Sequence, residues 1–151
     1  MRRITMLLLM TMAAALVMAS GVAWAANAGD LDTSFDGDGR VVFDVFGGVN
    51  DSAQAVAIQP DGKIVLAGSW AGFASDGSGR TFAITRFNPD GSLDKAFGSG
   101  GRTLVAFPNA AAEAKGVAIQ PDGKIVAAGS TNAGGDSDFA VARYYAITGG
   151  S

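Results

Sequence analysis

The sequence predicts an all-β chain, two tandem four-stranded antiparallel meanders behind a leader segment. Three observations carry that prediction. The segment VAIQPDGKIV stands at Val56–Val65 and again, unchanged, at Val117–Val126. Thirteen of the fourteen acidic residues are Asp, which closes turns, and only Glu113 is Glu, which favours helices. The chain also holds 22 Gly, a composition of strands and tight turns rather than of helices.

The leader comes first. Met1, Arg2 and Arg3 precede the apolar run Ile4–Val22, and Ala23-Trp24-Ala25 has the small-residue spacing that a signal peptidase accepts. Residues 1–25 are expected to be a signal peptide cut after Ala25, with Ala28 as the second choice, and 26–30 a short linker. The alternative is an uncleaved anchor, because about 18 to 20 apolar residues just span a bilayer. That anchor is the one route by which membrane attachment is expected. Arg2-Arg3 hints at a twin-arginine route but lacks a longer polar lead-in. With no Cys in the chain there is no site for a lipid.

Repeat 1 is expected over 31–92 and repeat 2 over 93–151. Leu31-Asp32-Thr33-Ser34-Phe35 is answered by Leu93-Asp94-Lys95-Ala96-Phe97, and Gly39-Arg40 by Gly101-Arg102, at an offset of about 62. The hairpin follows at about 61, and Phe82–Phe87 is answered by Phe139–Tyr144 at about 57. The offset drifts between apolar runs, where loops tolerate insertion.

Four strands are expected in each copy. In the first they are Arg40–Phe46, Ala53–Gln59, Lys63–Trp70 and Thr81–Asn88. In the second they are Arg102–Phe107, Lys115–Gln120, Lys124–Thr131 and Phe139–Tyr145. The central pair, Ala-Val-Ala-Ile and Ile-Val-Leu-Ala, is apolar at odd and even positions, so both faces of its sheet should be covered. A propeller blade or a stacked solenoid unit meets that requirement. Gln59-Pro60-Asp61-Gly62-Lys63 reads as a type I turn closed by a glycine bulge, and Asn88-Pro89-Asp90-Gly91-Ser92 repeats the chemistry at the boundary between copies.

These segments, L-D-x-x-F-x-x-x-G-R, then V-A-I-Q-P-D-G-K-I-V-x-A-G-S, then F-A-x-x-R-[FY], resemble the delta-60 repeat of bacterial exported and surface proteins. The likeness runs from Leu31 to Tyr144. It implies a β-propeller-like fold, but no settled activity, so no catalytic residue is transferred by it. The departure is at the end, where Tyr145-Ala146-Ile147-Thr148-Gly149 stands against Asn88–Ser92. Two copies are fewer than the roughly four to eight blades of a closed propeller. The chain is therefore expected either to be part of a longer array or to self-associate to complete a ring.

Composition narrows function mainly by exclusion. The formal charge is −3, and loss of Arg2 and Arg3 with the leader makes the remainder more negative, so nucleic acid is not an expected partner. Without His or Cys the commonest base, nucleophile and metal ligands are missing, and neither catalysis nor a cofactor is expected. The Asp residues of D-T-S-F-D-G-D-G (Asp32, Asp36, Asp38) and of Gly134–Asp138 read as turn carboxylates rather than as a calcium loop. Residues spelled in both copies, Asp61 and Asp122, Lys63 and Lys124, read as turn residues.

What one copy alone spells is where a particular site belongs. The longer loop of the first copy, Trp70 to Thr81, carries Trp70, Phe73, Asp76 and Arg80. Trp70, Phe73 and Asp76 are the candidate contacts for a protein or carbohydrate ligand, by ring stacking and carboxylate hydrogen bonding. For Trp70 and Phe73 the alternative is packing between sheets. The expected role is a binding scaffold, exported to the periplasm, cell surface or medium.

Overall fold

A computed structural model describes residues 27–47, 50–72, 79–107, 110–133 and 135–146. The predicted signal peptide lies outside them. The chain divides into two units, Met1–Asp30 and Leu31–Ser151. Of the first, the described part is a turn in which the Asp30 N–H donates to the Asn27 carbonyl at 3.0 Å and the Asn27 N–H to Asp30 Oδ2 at 2.7 Å.

The second unit is all-β among its described residues. Its strands are β1 (Asp51–Ile58), β2 (Ile64–Trp70), β3 (Thr81–Phe87), β4 (Arg102–Val105), β5 (Ala112–Ile119), β6 (Ile125–Thr131) and β7 (Asp138–Tyr144). They form two antiparallel sheets, β1-β2-β3-β4 and β5-β6-β7. The hairpin turns take the predicted form. Gly62 sits at φ +82° and Gly123 at φ +82°, where a side chain is strained and glycine is not. In each turn the Gln N–H reaches the Lys carbonyl at 2.8 Å, closing the bulge.

A second device recurs. The β1–β2 register slips between Ala53 and Ala55, and the β5–β6 register between Ala114 and Gly116. Each bulge drives its strand onto the partner, opposite Gly68 and Gly129. A Cβ on Gly68 would lie 1.7 Å from the Ser52 carbonyl oxygen, and one on Gly129 1.9 Å from that of Glu113. The A-G-S after each hairpin is thus a contact requirement.

The core lies between the sheets. Val65, Ala67, Phe82 and Ile84 of the first sheet, with Phe97, meet Ala112, Ala114, Ile125, Ala127 and Ala140 of the second. Burial of each large aliphatic or aromatic side chain here contributes about 1.5 to 3 kcal/mol. Phe107 stands edge-on to Phe82 at 5.2 Å between ring centroids, so the segment after β4 also seals the gap.

Two expectations need correction. Arg40–Phe46 is not a strand. A strand is made by its ladder, and this segment joins none; it lies across the outer face of the first sheet, with Phe43 edge-on to Phe87 at 5.7 Å. Sheet membership is also shifted by one strand relative to the sequence copies. β4 opens the second copy in sequence but pairs with β3 of the first, Phe82 opposite Val105 and Thr85 opposite Arg102. The first sheet is complete through this loan, and the second has three strands.

The loan decides burial. Every residue of β3 is buried, flanked by strands on both edges and by the second sheet on its face. Its counterpart β7 exposes Phe139 by 99% and Val141 by 64%.

Candidate functional site

The segment that joins the two sheets is held by a polar cluster at the end of β3. Asp94, from the L-D-x-x-F segment, accepts from Arg86 Nε and from Lys63 Nζ, both at 2.8 Å. Arg86 Nη1 also donates to Gln59 Oε1 at 3.3 Å and to the Ala146 carbonyl, while Phe97 lies under the guanidinium at 4.6 Å. Backbone bonds lock the same segment, from Asp94 N–H to the Arg86 carbonyl and from Arg86 N–H to the Gly101 carbonyl, each 2.9 Å.

Arg86 and Asp94 side chains are each 6% exposed, so neither charge is replaceable by water. Burial pushes the Asp94 carboxyl up, but the Lys63 hydrogen bond, the Ala96 N–H and the charges of Arg86 and Lys63 together outweigh it and hold the group below its usual 3.8. It stays ionised and locks the segment in place.

Lys63 therefore does more than close a turn. Its counterpart Lys124 remains local, bonded to its own Asp122. The other shared acids do as expected: Asp61 and Asp122 accept from the N–H two residues on, each at 3.2 Å. This cluster was overlooked in the sequence although its signal was present. Gln, Lys, Arg and Asp of compatible charge recur in both copies, as Gln59, Lys63, Arg86, Asp94 and as Gln120, Lys124, Arg143, Asp32.

Of the three candidate ligand residues, Phe73 and Asp76 lie outside the described residues. Trp70 ends β2, half-buried and opposite Asp51 and Thr81, with its ring 5.2 Å from that of Phe46. Its indole also fills the space beside Gly72, where a Cβ would stand 1.8 Å from Cζ2. The ring serves packing in this arrangement. Arg80 forms a surface ion pair with Glu113 at 3.7 Å, linking the sheets at one end with small energetic weight.

The aspartates of the first copy's entry loop are engaged locally. Asp32 accepts from the Ser34 N–H and hydroxyl, at 3.0 and 2.6 Å, and the hydroxyl bond first, then the backbone bond, hold its carboxyl below the ordinary value. Asp38 takes the Arg40 guanidinium at 2.9 Å. Among the described residues no three metal-ligating side chains converge.

Each sheet also carries a concave outer surface among the described residues. A cavity of about 290 Å³ lies on the outer face of the first sheet, lined by Val41, Phe43, Val45, Leu66, Ala83 and Phe87 among others. A shallower groove of about 710 Å³ covers the outer face of the second, over Lys115, Ala128, Ser130, Phe139 and Val141. Both are largely apolar.

Small antiparallel sheets packed face to face, one borrowing its last strand from the next copy, are consistent with the blades of a propeller-type repeat protein. The chain matches, over residues 59–97 and 120–146, the model of the family described as Domain of unknown function (DUF5122) beta-propeller. No curated protein and no solved structure matches it. The first matched stretch runs from Gln59 through Phe97, the same span that the Gln59–Arg86–Asp94–Phe97 cluster ties together.

Proposed function

We propose that the chain is an exported, non-catalytic repeat protein of the delta-60 kind that acts as a binding and interaction scaffold. One observation carries this reading: of the charged side chains that both copies share, Asp61 and Asp122 close turns and Lys63, Arg86 and Asp94 tie strands together, which leaves apolar faces and unshared loops as the surfaces available to partners. Export is supported by the basic start, the apolar run and the Ala-Trp-Ala exit. The loop from Trp70 to Thr81 is the place for a protein or carbohydrate ligand.

Expression of the full chain in a bacterial host, followed by fractionation and intact-mass measurement, tests export. The expected product begins at Ala26 and lies outside the cytoplasm; an uncleaved chain held in the inner membrane replaces the reading with the anchor. The scaffold role is tested with an array of soluble glycans and peptides, where binding should fall at least tenfold, about 1.4 kcal/mol, in Asp76→Ala. Hydrolysis of a glycoside, ester or peptide that disappears on one Asp→Asn change, with the fold retained, would overturn the non-catalytic part.

A further inference from the structure

Among the described residues β7 presents an open edge, and the material that closes the matching edge of β3 exists a second time in the chain. β4 pairs on β3 with Thr103 opposite Ile84 and Val105 opposite Phe82, and Leu93 bridges Phe87. Carried over by the repeat offsets, Val41 would stand opposite Val141, Phe43 opposite Phe139 and Leu31 opposite Tyr144.

The charges carry over as well. Arg143, Lys124 and Gln120 occupy the places of Arg86, Lys63 and Gln59, and the missing acid corresponds to Asp32. Arg143 is exposed, with a weak charge effect on Asp122, whereas Arg86 is buried and paired with Asp94. Gln120 Oε1 is buried with no hydrogen-bond partner, whereas Gln59 Oε1 accepts from Arg86.

The segment that fits is already in shape. In 31–40 the Phe35 N–H donates to the Asp32 carbonyl at 3.0 Å and Gly39 to Phe35 at 2.7 Å; in 93–102 the same bonds are 3.0 and 2.8 Å. Asp36 holds φ +49° where Gly98 holds +54°, and Gly39 φ +81° where Gly101 holds +98°. Asp36 is the described non-glycine residue with positive φ, a conformation Asp tolerates better than most residues. Leu31 lies against Gly39 as Leu93 lies against Gly101.

The faces are matched too. The outer face of the second sheet, with Phe139 and Val141, is the counterpart of the Phe82 and Ile84 face that packs on β5 and β6. The outer face of the first sheet, with Ile64 and Leu66, is the counterpart of the Ile125 and Ala127 face that receives it. One end of the unit is therefore complementary to the other.

We propose that β7 of one copy is completed by residues 31–43 of a second copy, with Asp32 seated between Arg143, Lys124 and Gln120 and Phe35 under the Arg143 guanidinium. The joint is head-to-tail, so it repeats until a ring closes. The inference rests on the propeller-type architecture and is independent of any ligand in the Trp70 loop.

The test uses the exported chain and a charge swap. Wild-type protein is expected to form a discrete oligomer by sedimentation and light scattering. Asp32→Arg and Arg143→Asp should each weaken association by at least about thirtyfold, as for one lost partner of a buried charge pair. An equimolar mixture restores it, because every joint in alternating order then has one acid and one base. A wild-type monomer at all concentrations, or association that both variants leave unchanged, overturns the proposal.

A second measurement leaves these charges intact. The chain has no cysteine of its own, so Val41→Cys and Val141→Cys, mixed and oxidised, should give a disulfide-linked pair that neither variant gives alone. Absence of that cross-link in the mixture also overturns it. Glycan or peptide binding is read separately on the same samples, so loss of one proposal does not touch the other.

Discussion

Asp94 shows how much of this fold rests on one carboxylate. Removing its charge leaves Arg86 buried with only neutral acceptors, so Asp94→Asn should destabilise by about 3 to 5 kcal/mol, read from urea midpoints. The double replacement Arg86→Met with Asp94→Leu should cost less than the single change, because the buried Arg86 charge goes with its partner and the Lys63 ammonium that remains is partly exposed and reaches water. The pH dependence has a definite sign. The folded Asp94 carboxyl lies below 3.8, so its contribution is complete above that value and is lost as pH falls through the folded pKa. Stability measured from about pH 6 to about pH 2 should therefore fall on the acid side. Tyr144 offers an opposite probe. Burial pushes its hydroxyl up to about 12, so ultraviolet titration should show a tyrosine that ionises only well above the ordinary 10.0, and Tyr144→Phe should remove that step.

At the scale of the strand, the glycines after each hairpin decide whether β1 and β5 can bulge. Gly68→Ala should cost on the order of 3 kcal/mol, since the added methyl meets backbone rather than a movable side chain. Gly129→Ala should behave alike. The turns, both hairpins, Gly62, Gly91 and Gly123 and the strand cores were legible in the sequence because turn chemistry and apolar runs are local. Arg40–Phe46 misled because it is as apolar as a strand. Pairing depends on a neighbour that the sequence of the segment does not specify. The candidate site was legible only in part. Trp70 is found in a packing role, Phe73 and Asp76 fall outside the described residues, and the Gln59–Arg86–Asp94 cluster joins residues far apart in the chain.

At the scale of the molecule, the second sheet presents a face that is well formed but uncovered among the described residues. Phe139→Ser with Val141→Thr should leave the unit's own melting temperature within a few degrees, because both side chains are exposed. The same pair in β3, Phe82→Ser with Ile84→Thr, should unfold it, because both are fully buried. If the head-to-tail joint forms, the β7 pair should also lower association, so comparing melting with sedimentation separates internal from intermolecular packing. On the head-to-tail proposal the groove over Phe139 is half of an interface, its counterpart on the first sheet being filled by protein.

The sequence by itself determined the all-β class, the duplication, the turn types and the strand cores, because each is written in short-range chemistry and repeats within the chain. Only the tertiary structure decided which strand completes which sheet. That choice depends on edges and on a buried ion pair between Arg86 and Asp94, contributed by different sequence copies. It made β3 an interior strand and β7 an edge, although the two read almost alike, because burial follows from neighbours and not from the residues that are buried.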